Sequence, residues 1–84
     1  MPVYVIHCLQ QWCHDLASAK LAGTVRYFPD QTEELVKLAG GISTSALMRF
    51  QKELLEARRA AFHPLNPRLF LESLLMTYRQ LFAA

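Results

Sequence analysis

Two cysteines and two of the three histidines lie close together near the start of the chain, and these are the side chains that zinc prefers. On a helix, however, Cys8 and Cys13 point about 140° apart. His7 and His14 share one face but are two full turns apart, too far to hold one ion without another element. No second ligand pair follows at zinc-finger spacing. We therefore expect no metal site, two buried thiols and two solvated histidines.

No residue spacing typical of an enzyme is present. Glycine occurs as Gly23 and as Gly40-Gly41, so the chain has no glycine-rich phosphate loop. It also has no nucleophile-elbow motif and no His-Glu-x-x-His motif. Asp30, Glu33 and Glu34 are explained by the preference of a helix N-terminus for negative charge. We expect no catalytic residue, no cofactor and no enzymatic activity.

Arg49, Lys52 and Arg59 share one side of a predicted helix and could contact phosphate. Glu56 lies in the middle of that side, and the net charge is only +2, from nine Lys and Arg against seven Asp and Glu. Dedicated duplex binders usually concentrate basic residues in a stripe. We expect no direct contact with nucleic acid. A small nucleic-acid binder that also uses Arg58 remains an alternative, which a steep salt dependence of DNA affinity would favour.

The bulk composition indicates one folded domain over residues 1–84, with 52% hydrophobic and 19% charged residues. A chain of this size buries only about 60–65% of its unfolded surface, so its stability margin is small. No apolar run approaches the roughly 20 residues that cross a bilayer, and no signal peptide is recognisable. Two cysteines form no secreted-type disulfide framework. These features predict a cytoplasmic protein.

The first predicted helix runs from about Pro2 to Ala22, because proline suits a first helical turn and Gly23 is a natural stop. Its apolar residues cover nearly half of the helix circumference, which favours packing against two or more other helices. They are Val5, Ile6, Leu9, Trp12, Cys13, Leu16 and Ala19. The stretch 25–28 is predicted to be a loop with anchoring aromatic side chains.

The second predicted helix is short, from about Gln31 to Ala39. Asp30 is expected to be its N-cap, and Glu33 completes a pattern like a capping box. Gly40-Gly41 ends the helix. Its predicted buried stripe consists of Leu35, Leu38, Ala39 and Ile42.

The third predicted helix begins after a cap at 43–45 and reaches roughly Phe62, before Pro64. The fourth begins with Asn66 as its cap and Pro67 at its first position. The main stripe of the third is predicted to be Leu47, Phe50, Leu54, Ala57 and Ala61, and the inner face of the fourth to be Phe70, Leu71, Leu74, Leu75, Tyr78, Leu81 and Phe82. The fold class is all-α, an antiparallel bundle of about four helices.

Five apolar residues fall outside these stripes. Met48, Leu55 and Phe62 recur every seven residues on the third helix, and Leu69 and Met76 stand seven apart on the polar side of the fourth. Seven-residue spacing keeps side chains nearly in line, so each set could meet one long partner element. The alternative is that they pack within the same bundle or are single exposed apolar residues. These five are the candidate partner interface.

The chain also resembles a known family along most of its length. The run Leu9-Gln-Gln-Trp-Cys-His-Asp-Leu16, then Leu21-Ala-Gly23 and Arg26-Tyr27, is similar to the C-terminal collar domain of the delta-prime subunit of the bacterial DNA polymerase III clamp loader. The closing run from His63 to Leu75 is similar to the last helix of that family. Between them, Gln51, Glu53, Leu54 and residues 57–60 resemble its penultimate helix.

The resemblance implies a part in DNA replication. The clamp loader opens the ring-shaped sliding clamp and closes it around primed DNA, within a holoenzyme whose activity is that of a DNA-directed DNA polymerase, a nucleotidyltransferase. Its helical C-terminal domains form a collar that holds the motor subunits, delta and delta-prime together. The zinc-binding cysteines of the family lie in an N-terminal region and do not correspond to Cys8 or Cys13.

On this resemblance the chain is a C-terminal fragment of a longer delta-prime chain. Part of the wall beside the first helix would then be missing, and we expect the isolated piece to self-associate through that uncovered face. No membrane partner is expected. The alternative function is an unrelated helical adaptor that presents a groove to a partner peptide.

Overall fold

Residues 2–60 and 66–82 are described by a computed structural model, with side chains described for 3–59 and 66–82. Over these ranges the chain forms four α-helices and no strand. The helices are α1 (Pro2–Ala22), α2 (Thr32–Ala39), α3 (Thr44–Ala60) and α4 (Pro67–Gln80), with a short 3₁₀ helix at Pro29–Gln31 before α2. The prediction of an all-α fold is confirmed.

The long helix α1 is the centre of the fold, and both α2 and α3 pack along it. Its predicted apolar arc is confirmed, since Ile6, Cys13, Leu16 and Ala19 are all buried. α3 runs antiparallel to α1, because Gln51 reaches the carbonyl of Cys13 while Arg58 reaches the side chain of Gln10, nearer the start of α1. The remaining core residues are Leu35, Ala39, Ile42, Leu47, Phe50, Leu54 and Leu74.

The α2 contribution to this core is Leu35 and Ala39, followed by Ile42 just after the helix. The prediction that Leu38 belongs to the same buried stripe is wrong, because that side chain is 37% exposed. At about 100° per residue, Leu38 lies on the edge of the α2 stripe. Only the side of α2 that faces α1 is covered, so the edge residue stays in contact with solvent.

The helix ends mostly follow the predicted signals. Gly23 ends α1 with a positive φ of 71°, a conformation that glycine adopts without a Cβ penalty. Its N–H donates to the carbonyl of Ala19 at 3.0 Å. Ser43 caps α3 by accepting from the N–H of Ala46 at 3.1 Å, and Asn66 caps α4 by accepting from the N–H of Leu69 at 3.1 Å.

The predicted cap of α2 is wrong. The N-cap residue is Gln31, which makes no side-chain capping hydrogen bond, and Asp30 lies inside the preceding 3₁₀ helix. Pro29 has a backbone torsion suited to a first helical turn, so the chain begins to coil one residue before Asp30. The hydroxyl of Thr32 then donates to the carbonyl of Pro29 at 2.6 Å. Asp30 therefore contributes negative charge to the helix start but does not cap it.

Candidate partner-binding surface

The predicted interface residues lie on two separate surfaces. On α3, Met48 and Leu55 lie about 100–120° around the helix from the buried Leu54. The side of α3 that faces α4 carries Phe50 and Glu53, which border a groove between the two helices. Met48 and Leu55 are therefore on the opposite flank of α3, and we call this pair the α3 flank.

Leu69 and Met76 lie on the far side of α4. Both are about 200–220° around the helix from Leu74, the residue that points into the core. We call this pair the α4 outer face. Met76 also borders an open depression of about 430 Å³ together with Arg79, Gln80 and Phe82. Because the α3 flank and the α4 outer face point in different directions, one straight partner helix cannot cover both.

All four described members of the predicted interface are exposed. The exposed fractions are 56% for Met48, 49% for Leu55, 61% for Leu69 and 64% for Met76. Phe62, the fifth member, lies outside the described residues, as does Ala61 of the predicted α3 stripe. Leu75 was predicted to face inward, but it is 49% exposed, so that prediction is wrong. It lies about 100° from Leu74, where α4 has no neighbour covering it.

α4 is the least buried of the long helices. Among its side chains only Leu74 is buried, whereas Phe70, Leu71 and Tyr78 are half-buried and Leu75 is exposed. α4 is held mainly by aromatic contacts around Tyr78. The indole N–H of Trp12 on α1 donates to the Tyr78 hydroxyl at 2.8 Å, and the ring centroids of Tyr78 and Phe50 are 5.9 Å apart. Burial raises the pKa of Tyr78, so its hydroxyl stays protonated.

A buried carboxylate organises the loop that follows α1, and sequence reasoning missed it. Asp15 is fully buried and accepts hydrogen bonds from the backbone N–H groups of Arg26, Tyr27 and Phe28 at 2.8–2.9 Å. Its Oδ1 also lies 3.5 Å from Nδ1 of His14. Burial alone would raise the pKa of this carboxyl, but the three N–H donors and His14 outweigh it, and the pKa is lowered.

The signal for Asp15 was present in the sequence. Its position falls on the edge of the apolar arc, three residues after Trp12 and four before Ala19, where a charged side chain needs a partner. The partners are 11–13 residues away in a loop, so no local pattern points to them. The loop at 25–28 is anchored, as predicted. Its backbone N–H groups bind Asp15, and the Phe28 ring packs against Trp12 with the ring centroids 5.3 Å apart.

The cysteines and histidines do not come together. Cys13 is buried, and burial raises the pKa of its thiol to about 12, so it is a poor nucleophile. Cys8 is half-buried, and both thiols are free. His7 and His14 are exposed, and His14 packs edge-on against Tyr27. Within residues 2–60 and 66–82, no three His, Cys, Asp or Glu side chains are placed to hold a metal ion.

The basic residues of α3 are also dispersed. Arg58 reaches back to the side-chain oxygen of Gln10 on α1 at 3.2 Å, whereas Arg49 borders the groove between α3 and α4. Lys52 and Arg59 are exposed on a third side, about 140–160° from Leu54. These four cations therefore do not form the continuous stripe that a duplex binder uses.

In the described part of the chain, no helix is both long enough and apolar enough to cross a membrane. Comparisons with protein-family models, with curated proteins and with solved structures found no match to this chain.

Proposed function

We propose that this chain is a non-catalytic oligomerisation domain, the collar domain of a clamp-loader delta-prime subunit that helps to place the sliding clamp on primed DNA. The observation that carries the proposal is α4, which has apolar side chains on both its inner side and its α4 outer face. Exposed apolar residues that line up along a helix usually mark a contact surface. In the chain by itself, one side of this helix is exposed.

The two directions of the exposed surfaces support a position between two different neighbours. A subunit in a ring needs one contact surface on each side, and these surfaces need not be alike. The α3 flank and the α4 outer face point in different directions, as such a position requires. The buried thiol of Cys13 and the dispersed histidines also suit a domain whose work is packing. The partners would be the motor subunits and delta.

The test is a pull-down with the full-length protein that carries this sequence, using clamp-loader motor and delta subunits from the same source. Leu55→Asp and Met76→Asp would be compared with the natural sequence. Each places a carboxylate in the middle of a proposed contact, where an unpaired buried charge costs about 3–5 kcal/mol. We expect capture to be lost while circular dichroism still shows a folded helical domain.

Val36→Asp is the matched control, because Val36 is an exposed apolar residue on α2 that belongs to neither proposed surface. It should leave capture unchanged. If Leu55→Asp and Met76→Asp also leave capture unchanged, the α3 flank and the α4 outer face are not the interface. If the natural sequence captures no clamp-loader subunit, the collar function is wrong. An unrelated helical adaptor, which would use the same exposed residues, then becomes the better explanation.

A further inference from the structure

A polar groove runs along the solvent-exposed side of α1. It has a volume of about 230 Å³ and is lined by His7, Gln10, Gln11, His14, Tyr27 and Arg58. Three separate elements contribute to it: α1, the loop after α1, and the last turns of α3. The groove is therefore formed by the tertiary fold and not by one helix surface.

Arg58 is the arginine that lines this groove, and Arg26 lies beside the lining residue Tyr27. Arg58 is held over it by the hydrogen bond to Gln10 at 3.2 Å, and the Arg26 guanidinium lies 5.5 Å from the centre of the Tyr27 ring. Among the described residues neither arginine forms an ion pair. Residues 61–65, which are not described, contain no Asp or Glu. None of the six lining residues is acidic.

Asp15 lies next to the groove through its contact with His14, and both of its oxygens already accept hydrogen bonds. Asp15 is the only acidic residue of α1, and its two oxygens accept the three backbone N–H groups of the loop and contact His14. It is buried, so it offers no exposed negative charge to Arg58 or to Arg26. Arg58 and Arg26 are therefore available to bind an anion from outside the chain.

We propose that this groove binds an acidic side chain, Glu or Asp, of a partner polypeptide. The planar guanidinium of Arg58 matches a carboxylate through paired N–H donors. The amides of Gln10 and Gln11 and the ring nitrogens of His7 and His14 supply further hydrogen-bonding groups. The groove, at about 230 Å³, is large enough for one such side chain.

A nucleic-acid backbone is a poorer fit to the same groove. Strands are usually bound by a row of cations that follows successive phosphates. Here Lys52 and Arg59 lie on another side of α3, and Arg49 borders the groove between α3 and α4. The proposal does not depend on the collar function, because it uses neither the α3 flank nor the α4 outer face.

The experiment is fluorescence anisotropy with a dye-labelled glutamate-rich peptide at low salt, using the full 84-residue chain. The same peptide with glutamine in place of glutamate is the ligand control. Arg58→Gln should weaken binding by about tenfold or more, because it removes a charge-assisted hydrogen bond. Arg59→Gln removes the same charge from the neighbouring position, which does not line the groove, and should change binding little.

Equal thermal stability of the two variants would show that the comparison reports on binding. Three results would overturn the proposal: no preference for the glutamate peptide over the glutamine peptide, equal losses with Arg58→Gln and Arg59→Gln, or a single-stranded oligonucleotide that displaces the peptide and itself requires Arg58. The last result would make the groove a nucleic-acid site. The result of the clamp-loader pull-down does not affect the interpretation of these peptide-binding results.

Discussion

Asp15 connects the middle of α1 to the loop that leaves its end. The carboxylate satisfies three consecutive N–H groups that would otherwise lack partners in a short loop without secondary structure. Hydrogen bonds to a charged acceptor are stronger than those between neutral groups. A single side chain thus holds the loop beside α1 and keeps Phe28 against Trp12.

Asp15→Asn should lower the free energy of unfolding by about 2–4 kcal/mol, because the charge is lost and an amide N–H₂ group replaces one of the accepting oxygens. Chemical denaturation monitored by circular dichroism would measure the change. Asp30→Asn is the control, since Asp30 is exposed and caps nothing, and it should have little effect. A similar small effect from both substitutions would show that the loop does not depend on the carboxylate.

The contribution of Asp15 to stability should also depend on pH. The pKa of Asp15 is lowered in the folded state from its ordinary value of 3.8, so its contribution to stability is fully present above that value. It is lost as the pH falls through the folded-state pKa. The difference in stability between the natural chain and Asp15→Asn should therefore narrow as the pH falls below about 5. A difference that stays constant over this range would contradict the lowered pKa.

At the scale of the elements, the sequence predicts where a helix begins or ends when the capping residue and the backbone group that it satisfies are close in sequence. Gly23 and the pair Asn66-Pro67 are such cases, and the structure confirms both. Asp30 carried a similar signal, but Pro29 shifted the first turn, so the carboxylate fell inside a 3₁₀ helix. The exposure of Leu75 was not predictable, since it depends on how little of α4 its neighbours cover.

Asn66→Ala should destabilise the chain by about 1 kcal/mol, because it leaves the N–H of Leu69 without its capping acceptor. Asp30→Ala should cost much less, since Asp30 makes no capping hydrogen bond to α2. Thermal unfolding measures both. Hydrogen exchange would add a local measurement, because the α4 amides should lose protection first. If the two substitutions destabilise the chain equally, Asp30 does act as a cap of α2 and the prediction is wrong.

At the scale of the whole molecule, the long helix α1 is better covered than the resemblance led us to expect. Its apolar arc is buried or half-buried beneath α2, α3 and the following loop, and its exposed apolar residues are Tyr4 and Leu21 near its two ends. Self-association through the broad face of α1 is therefore not favoured. Four exposed apolar residues instead form the α3 flank and the α4 outer face. Helical periodicity predicted these residues, but not that they form two surfaces facing different directions.

We expect the 84-residue chain to self-associate weakly at high concentration through the α4 outer face. Met76→Asp should shift this association to higher concentration, because it places a charge among apolar side chains that would be buried in the contact. Sedimentation over a concentration series measures the shift, with Val36→Asp as the control that leaves it unchanged. A natural chain that stays monomeric at every concentration would contradict the prediction.

Because Asp15 binds the loop through its backbone, the exposed side chains of the loop are free to vary. Within the loop, the carboxylate contacts only backbone N–H groups, so the identities of the side chains at 26 and 27 do not enter into those bonds. Proline is the exception, since it has no N–H to donate. Arg26 and Tyr27 are both exposed, and Tyr27 lines the polar groove. The chemistry of this rim can therefore be exchanged, by evolution or by design, while the path of the chain stays the same.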